Sequence, residues 1–411
     1  MSEGGIFAGV RIAEFGAGAA GPLATRMFAE QGATVVRVES SRHPDFLRQL
    51  PFPKLAQRRA DGARDLDAAP MFALLNPGKQ SVALDLSRPE GRALALRLAL
   101  SSDVVTENFS PGVMARFGLD YETLAAAKPE LVMVSGCLFG QTGPQRHYPG
   151  FGGQGAAIAG FNHLTGWPDR EAVGPYATLT DSLSPRYIAL LVAGALRERR
   201  RTGRGRYFDV SQIETGVYSL SELMLRHAAN GERLARRGNR AEEAAPHAIY
   251  PCRGEERWIA IAVSGEPEWA ALVAVMGAPA WTRDQRFASA AARKANEDEL
   301  DRELAAWTRG EDAAALAERL QEAGVAAGPV QAPGELLGDP QLAHRGHFVT
   351  LEQPGLGPLP FERGGFRLSE SPGAALAPAP RLGEHGRAVL CGLLGLAEPE
   401  FERLAAEGVI G

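Results

Sequence analysis

The sequence predicts an α/β fold: an open, largely parallel sheet in a large first domain, joined to a smaller α+β domain. Three observations carry this expectation. Strand and helix patterns alternate through the first 210 residues, as parallel strands with crossover helices require. A glycine-rich turn, Gly16-Ala17-Gly18-Ala19-Ala20-Gly21, lies between the first strand and the first helix, as in Rossmann-like sheets. Near residue 245 the texture changes to a hairpin followed by amphipathic helices.

Taken in order, RIAEF (11–15) is a short strand, and Pro22 to Gln31 is a helix that begins on proline and ends at Gly32. ATVVRVE (33–39) is the next strand, and SVALDL (81–86) alternates apolar and polar residues as a strand does. Ser87 and Pro89 open a helix through Leu100, and DVVTEN (103–108) follows as a strand. The helix YETLAAAK (121–128) leads into the strand ELVMVSG (130–136). An apolar run from Tyr187 to Leu196 predicts a helix buried on most faces. Arg197 to Arg201 and Gly203 suit its negative end and left-handed exit, and YFDVS (207–211) re-enters a strand.

These elements place a large Rossmann-like domain at 1–210, with 335–411 returning to it, and a linker helix at 211–244. A small α+β domain follows at 245–334. In it AIYPC and RWIAIAV flank RGEE as a hairpin, and EWAALVAVMG, EDELDRELAAWTRG and AAALAERLQEAGV read as helices. From Gly334 onward glycine and proline are dense, the composition of an extended strap.

Composition narrows the function. Of 411 residues, 45% are hydrophobic and 23% charged, the balance of a globular protein with a sizeable core. A net charge of −5 argues against general affinity for nucleic acid or acidic membranes. Three widely spaced cysteines (Cys137, Cys252 and Cys391) suit a reducing cytoplasm, and no apolar run reaches membrane-spanning length. His344 and His347 lack neighbouring ligands at metal-binding spacing, so no metal is expected. The arginines from 197 to 206 read as a solvated helix end, and neither Cys137 nor Cys252 has a base in sequence reach.

The chemistry-bearing residue is Asp181. It follows a Thr-Leu-Thr approach and stands at the mouth of the apolar helix, where backbone N–H groups can hold a carboxylate ionised. There it can serve as a nucleophile; the plainer alternative is an N-cap. The glycine turn with Glu39 at the end of the next strand also fits a dinucleotide fingerprint, which would make the protein an NAD(P)- or FAD-dependent oxidoreductase. Pro22 counts against that reading, since it removes an N–H from the phosphate-binding helix end.

Several segments together resemble class III CoA-transferases, the family of formyl-CoA and carnitine CoA-transferases. They are GVRIAEFGAGAAGPLATRMFAEQGATVVRVE, NPGKQSVALDL, ENFSPGVMARFGLDYETL, SGCLFGQTGP, ALRERRRTGRGRYFDVS and DPQLAHRGHF, in the family's order over nearly the whole chain. Arg206 stands where the family usually has glutamine, and a family lysine near Cys137 is absent. The resemblance implies an interlocked homodimer that uses a coenzyme A thioester as substrate and holds no permanent cofactor. Its other substrate would be a carboxylic acid. It assigns the nucleophile to Asp181, the nucleotide phosphates to Lys79 and Arg116, and the adenine frame to Asn108, Phe109 and Phe117. It brings Gly18 and Ala20 against the cofactor by their backbone.

Oxyanion donors are expected from FGGQGAAIAG (151–160) or SGCLFGQTG (135–143). Phe139, Tyr148, Phe151, Phe161 and Trp167 hint at an apolar wall. An α-methylacyl-CoA racemase is the alternative within the superfamily. Related racemases carry a histidine-aspartate pair where this chain has Phe151 and Gly152, and His147 and His163 lie out of register.

Overall fold

The computed structural model describes residues 4–50, 65–371, 373–374 and 376–411. Its main sheet contains β1 (Arg11–Glu14), β2 (Thr34–Glu39), β3 (Gln80–Ala83), β4 (Val104–Glu107), β5 (Val132–Cys137) and β6 (Arg206–Ser211). All neighbours pair in parallel, in the order β3-β2-β1-β4-β5-β6. The order reverses between β1 and β4, and the loops leaving the carboxyl ends of those two strands diverge there into a crevice.

Strand alternation decides which helices cover which face. The register aligns Val35, Ile12, Val104 and Val132 in one row across the sheet. That face packs on Ala24 and Phe28 of the helix Ala20–Ala29, and on Ile188, Val192 and Ala195 of the helix Leu179–Thr202. The intervening residues Ala13, Val36, Val105 and Met133 point to the other face, against Leu94, Ala95 and Leu98 of the helix Pro89–Ser101. The chain's last residues close this layer: Val389, Leu390, Leu404, Val409 and Ile410 join the same core. Both faces are therefore covered, as a parallel sheet requires.

The chain divides into two compact units. One holds residues 1–162, 174–232 and 344–411; the other holds 163–173 and 233–343. The second is built on an antiparallel sheet of β7 (His247–Pro251), β8 (Trp258–Ala262) and β9 (Ala326–Pro329). Its core joins Tyr250, Ile259 and Ile261 to Leu272, Leu300, Leu304, Leu316 and Leu320 from three helices.

Three local expectations change. The first helix starts at Ala20, so Pro22 lies inside its first turn, where its missing N–H would have had no helical partner. The predicted linker helix is two helices, Gln212–Tyr218 and Ser221–Asn230. The glycine- and proline-rich strap contains a hairpin, β10 (Phe348–Gln353) with β11 (Gly357–Glu362).

Candidate active site

The site gathers at the crevice between β1 and β4. After β1, Gly16 turns with φ +118°, a left-handed conformation that a side chain would strain. A Cβ there would also lie 1.8 Å from Asn108 Oδ1. Asn108 follows β4 and locks onto this turn: its Oδ1 accepts from Ala17 N–H at 3.0 Å, and its Nδ2 donates to the Ala17 carbonyl at 2.7 Å. Asp45 holds the same turn from below, accepting the Gly18 N–H at 3.1 Å while it pairs with Arg37. Burial raises Asp45 above the usual aspartate range, against the pull of Arg37 and the N–H groups of Leu47 and Gly18.

A cleft of about 590 Å³ opens above these loops, lined by Gly18, Ala20, Asn108, Phe109, Asp181 and Gln212 among others. A second, of about 380 Å³, shares Ala17 and Phe109 with it and reaches Phe117. The structure thus brings five of the sequence-selected residues (Gly18, Ala20, Asn108, Phe109 and Asp181) to one cleft and Phe117 to its neighbour. Both volumes fall in the range of small-molecule sites.

Asp181 sits in the first turn of the helix Leu179–Thr202, and the N-cap is Thr178, which makes no side-chain capping bond. The carboxylate instead lies against the start of a second helix, Gly152–Ile158, where the Gly152 N–H and the Thr178 and Gln212 side chains favour its charged form. A Cβ on Gly152 would lie 2.5 Å from Asp181 Oδ2, so any larger residue there would displace the carboxylate. Contrary to the expectation of an ordinary, easily ionised carboxylate, burial lifts the Asp181 pKa, and the three hydrogen bonds pull against that rise.

Lys79 lies in a buried ion network. Its ammonium is buried and donates to Glu14 Oε2 at 2.8 Å, the Pro22 carbonyl at 2.8 Å and Asn76 Oδ1 at 3.0 Å. Glu14 also takes Arg37 and the Thr25 hydroxyl, completing an ion network beneath the glycine turn. Burial lowers the Lys79 pKa to about 8, with Glu14 opposing. Burial would raise Glu14, but Lys79 and Arg37 bring it below the usual range. Arg116 is exposed on the short helix Val113–Phe117, and neither Arg116 nor Lys79 lines either cleft. Phe139, Tyr148 and Phe151 do line the larger cleft; Phe161 does not, and Trp167 belongs to the other unit.

Sequence reasoning missed two residues of the cleft wall, Gln212 and Arg146, and the buried acid next to Asn108, Glu107. Gln212 follows the strand DVS directly, and that polar residue at a strand's carboxyl end was the available signal. Arg146 lines the cleft from an exposed loop. Glu107 ends β4 and is buried, with Oε2 accepting the Phe109 N–H at 2.7 Å. Burial pushes its pKa up to about 7, against hydrogen bonds from Ser135 and Phe109 and with added repulsion from Asp209. Cys137 also lines the cleft, but burial drives its thiol up to about 11, which leaves little thiolate.

The fold and cleft define an α/β protein with a cleft of small-molecule size at the sheet's switch point and a carboxylate in its wall. Residues 7–386 match CoA-transferase family III. Succinyl-CoA–D-citramalate CoA-transferase of Chloroflexus aurantiacus is 36% identical over 98% of this chain and 97% of its own. Succinate–glutarate CoA-transferase of Agrobacterium fabrum is 31% identical over 94% and 95%. The crystal structure of a CaiB/BaiF family protein from Brucella suis superposes with a TM-score of 0.86 at 30% identity, covering 95% of this chain and all (100%) of that one. The chain therefore belongs to CoA-transferase family III and is a CoA-transferase. Among the described residues, no helix is long and apolar enough to cross a membrane.

Proposed function

We propose that this enzyme moves coenzyme A from an acyl-CoA to a carboxylic acid by covalent catalysis at Asp181. The observation that carries the reading is the Asp181 carboxylate in the cleft wall, beside Gly152 and with Thr178 and Gln212 favouring its charged form. An ionised carboxylate needs no general base to attack a thioester carbonyl. Attack gives a tetrahedral intermediate that expels CoA thiolate and leaves a mixed anhydride on Asp181. The thiolate then attacks the aspartyl carbonyl, releasing the donor acid and leaving an aspartyl-CoA thioester. The acceptor carboxylate attacks that thioester to form a second anhydride, and CoA thiolate takes the new acyl group, freeing Asp181.

The Gly152 N–H, at the start of its helix, is positioned to stabilise the oxyanion on the aspartyl side. The nucleotide of CoA would occupy the smaller cleft, between Phe109 and Phe117, with pantetheine entering the larger one past Ala17. Racemisation finds less support, because Phe151 and Gly152 offer no acid or base where that reaction needs a pair.

A homodimer accompanies this reading. Leu190, Tyr218 and Leu225 are 70%, 70% and 69% exposed on three successive helices, apolar side chains that a partner subunit would cover. The functional test is Asp181→Ala, which should lose transfer by orders of magnitude and still bind CoA. Turnover near the wild-type rate would contradict the proposal.

A further inference from the structure

We propose that the chain carries a second binding site, apart from the Asp181 cleft, for the linked phosphates of a small polyphosphate molecule. A cleft of about 450 Å³ is lined by residues that enter β10, residues that leave β11, and Gln31. It shares no lining residue with either cleft at the switch point. Gln31 lies just past the helix Ala20–Ala29, whose first residue lines the Asp181 cleft, so ten residues of helix, about 15 Å, stand between them.

Three arginines of this second cleft, Arg345, Arg363 and Arg367, are tied to one short stretch of chain, 344–347. The Arg363 N–H donates to the His347 carbonyl at 2.8 Å, which extends the hairpin ladder past Phe348 and Glu362. Arg367 Nη2 donates to the His344 carbonyl at 2.9 Å. Arg345 stands between those two acceptors in the chain, and Gly346 beside it turns with φ +58°.

Among the described residues lining this cleft, none is an acid. The Arg345 and Arg363 guanidiniums make no hydrogen bond or ion pair among the described residues, and Arg367 bonds a single carbonyl. Glu30 feels the charge of Arg363 from outside the cleft, but Arg26 already holds both Glu30 and Glu362 at 2.7 Å. Arginines grouped elsewhere come with carboxylates: Arg37 pairs with Glu14 and Asp45, and Arg48 with Glu39 and Asp67. Like charges gathered without a counter-charge repel one another, and a bound polyanion relieves that repulsion. Guanidinium forks match phosphate oxygens in paired bonds. A single carboxylate would answer one of the three arginines, whereas linked phosphates can answer all of them. Phe348 and Phe366 add apolar wall, with Phe366 exposed to receive the body that carries the phosphates.

The test is titration calorimetry of the full chain with inorganic tripolyphosphate and with GTP, each with and without saturating CoA. GTP is chosen because its base differs from the adenine of CoA. Both probes should bind saturably and keep their affinity when CoA is present. Arg345→Gln and Arg363→Gln, at exposed positions that should leave folding and CoA binding unchanged, should each weaken binding about tenfold or more. Tighter binding of GTP than of tripolyphosphate would identify a nucleotide as the source of the phosphates, and equal binding would identify the phosphate chain alone. No saturable binding, loss of binding when CoA is present, or an affinity unmoved in both variants would overturn the site. Failure of acyl transfer would leave this inference standing, since it uses none of the Asp181 chemistry.

Discussion

Gly152→Ala adds one methyl group, and the structure says where it would go. The new Cβ would stand 2.5 Å from Asp181 Oδ2, 2.6 Å from its Cγ and 2.9 Å from Thr178 Cβ. Ordinary contact begins near 3.4 Å, so the carboxylate must retreat by roughly 1 Å. A displacement of that size in a reacting group costs about 100-fold in rate, or about 2.7 kcal/mol of transition-state stabilisation. The helix itself should tolerate the change, because alanine is favoured over glycine in a helix by about 0.5–1 kcal/mol and Gly152 does not have a left-handed φ. Steady-state transfer assays with thermal melts separate the two effects: kcat should fall about 100-fold with little loss of Tm. The neighbouring Gly153→Ala is the matched control, since a Cβ there meets nothing within 4 Å. A Gly152→Ala enzyme with wild-type kcat would refute the claim that Asp181 reacts from the position it occupies.

Lys79→Ala should act on stability, leaving Glu14 and its partners buried around a missing cation at a cost of about 3–5 kcal/mol, read by chemical denaturation. Unchanged stability with a raised acyl-CoA KM would instead restore Lys79 to the phosphates. Because burial raises the Asp181 pKa and the nucleophile must be ionised, the acid limb of kcat/KM should lie above the ordinary aspartate value of 3.8. Gln212→Leu removes one donor to the charged form and should move that limb further toward neutral; a shift the other way would contradict the assignment. Glu107, with a folded pKa of about 7 against 4.5, is bound to its proton more tightly in the native state. Its contribution to stability is therefore full below pH 4.5 and lost as pH rises through 7, about 3 kcal/mol at most. Relative to Glu107→Gln, the wild type should lose stability between pH 5 and 8, and a flat difference would count against that environment.

The sheet was legible because its strands are short apolar runs bounded by glycine, proline and helix caps. RIAEF, ATVVRVE, DVVTEN, ELVMVSG and YFDVS all contain strands that pair in parallel. The hairpin β10–β11 was hidden by its composition. Pro358 and Pro360 lack N–H donors, yet a two-stranded sheet is all edge and leaves room for them.

The resemblance located Lys79 within a motif but gave no information about its surroundings. Only the tertiary approach of Glu14, Pro22 and Asn76 turns that lysine inward. Asp181 was legible as an acid at a helix mouth, whereas its actual partners, Gly152 and Gln212, come from other helices. For the same reason the direction of its pKa could not be read from helix-dipole reasoning alone: burial is a property of the assembled cleft.

The mechanism turns on one covalent bond. Brief incubation with acyl-CoA alone, quenching with hydroxylamine or borohydride and peptide mass spectrometry would locate it. Modification of the peptide at Asp181, absent in Asp181→Ala, is the predicted result. An enzyme that transfers CoA with the Asp181 peptide unmodified, or with the label on another residue, would contradict the mechanism.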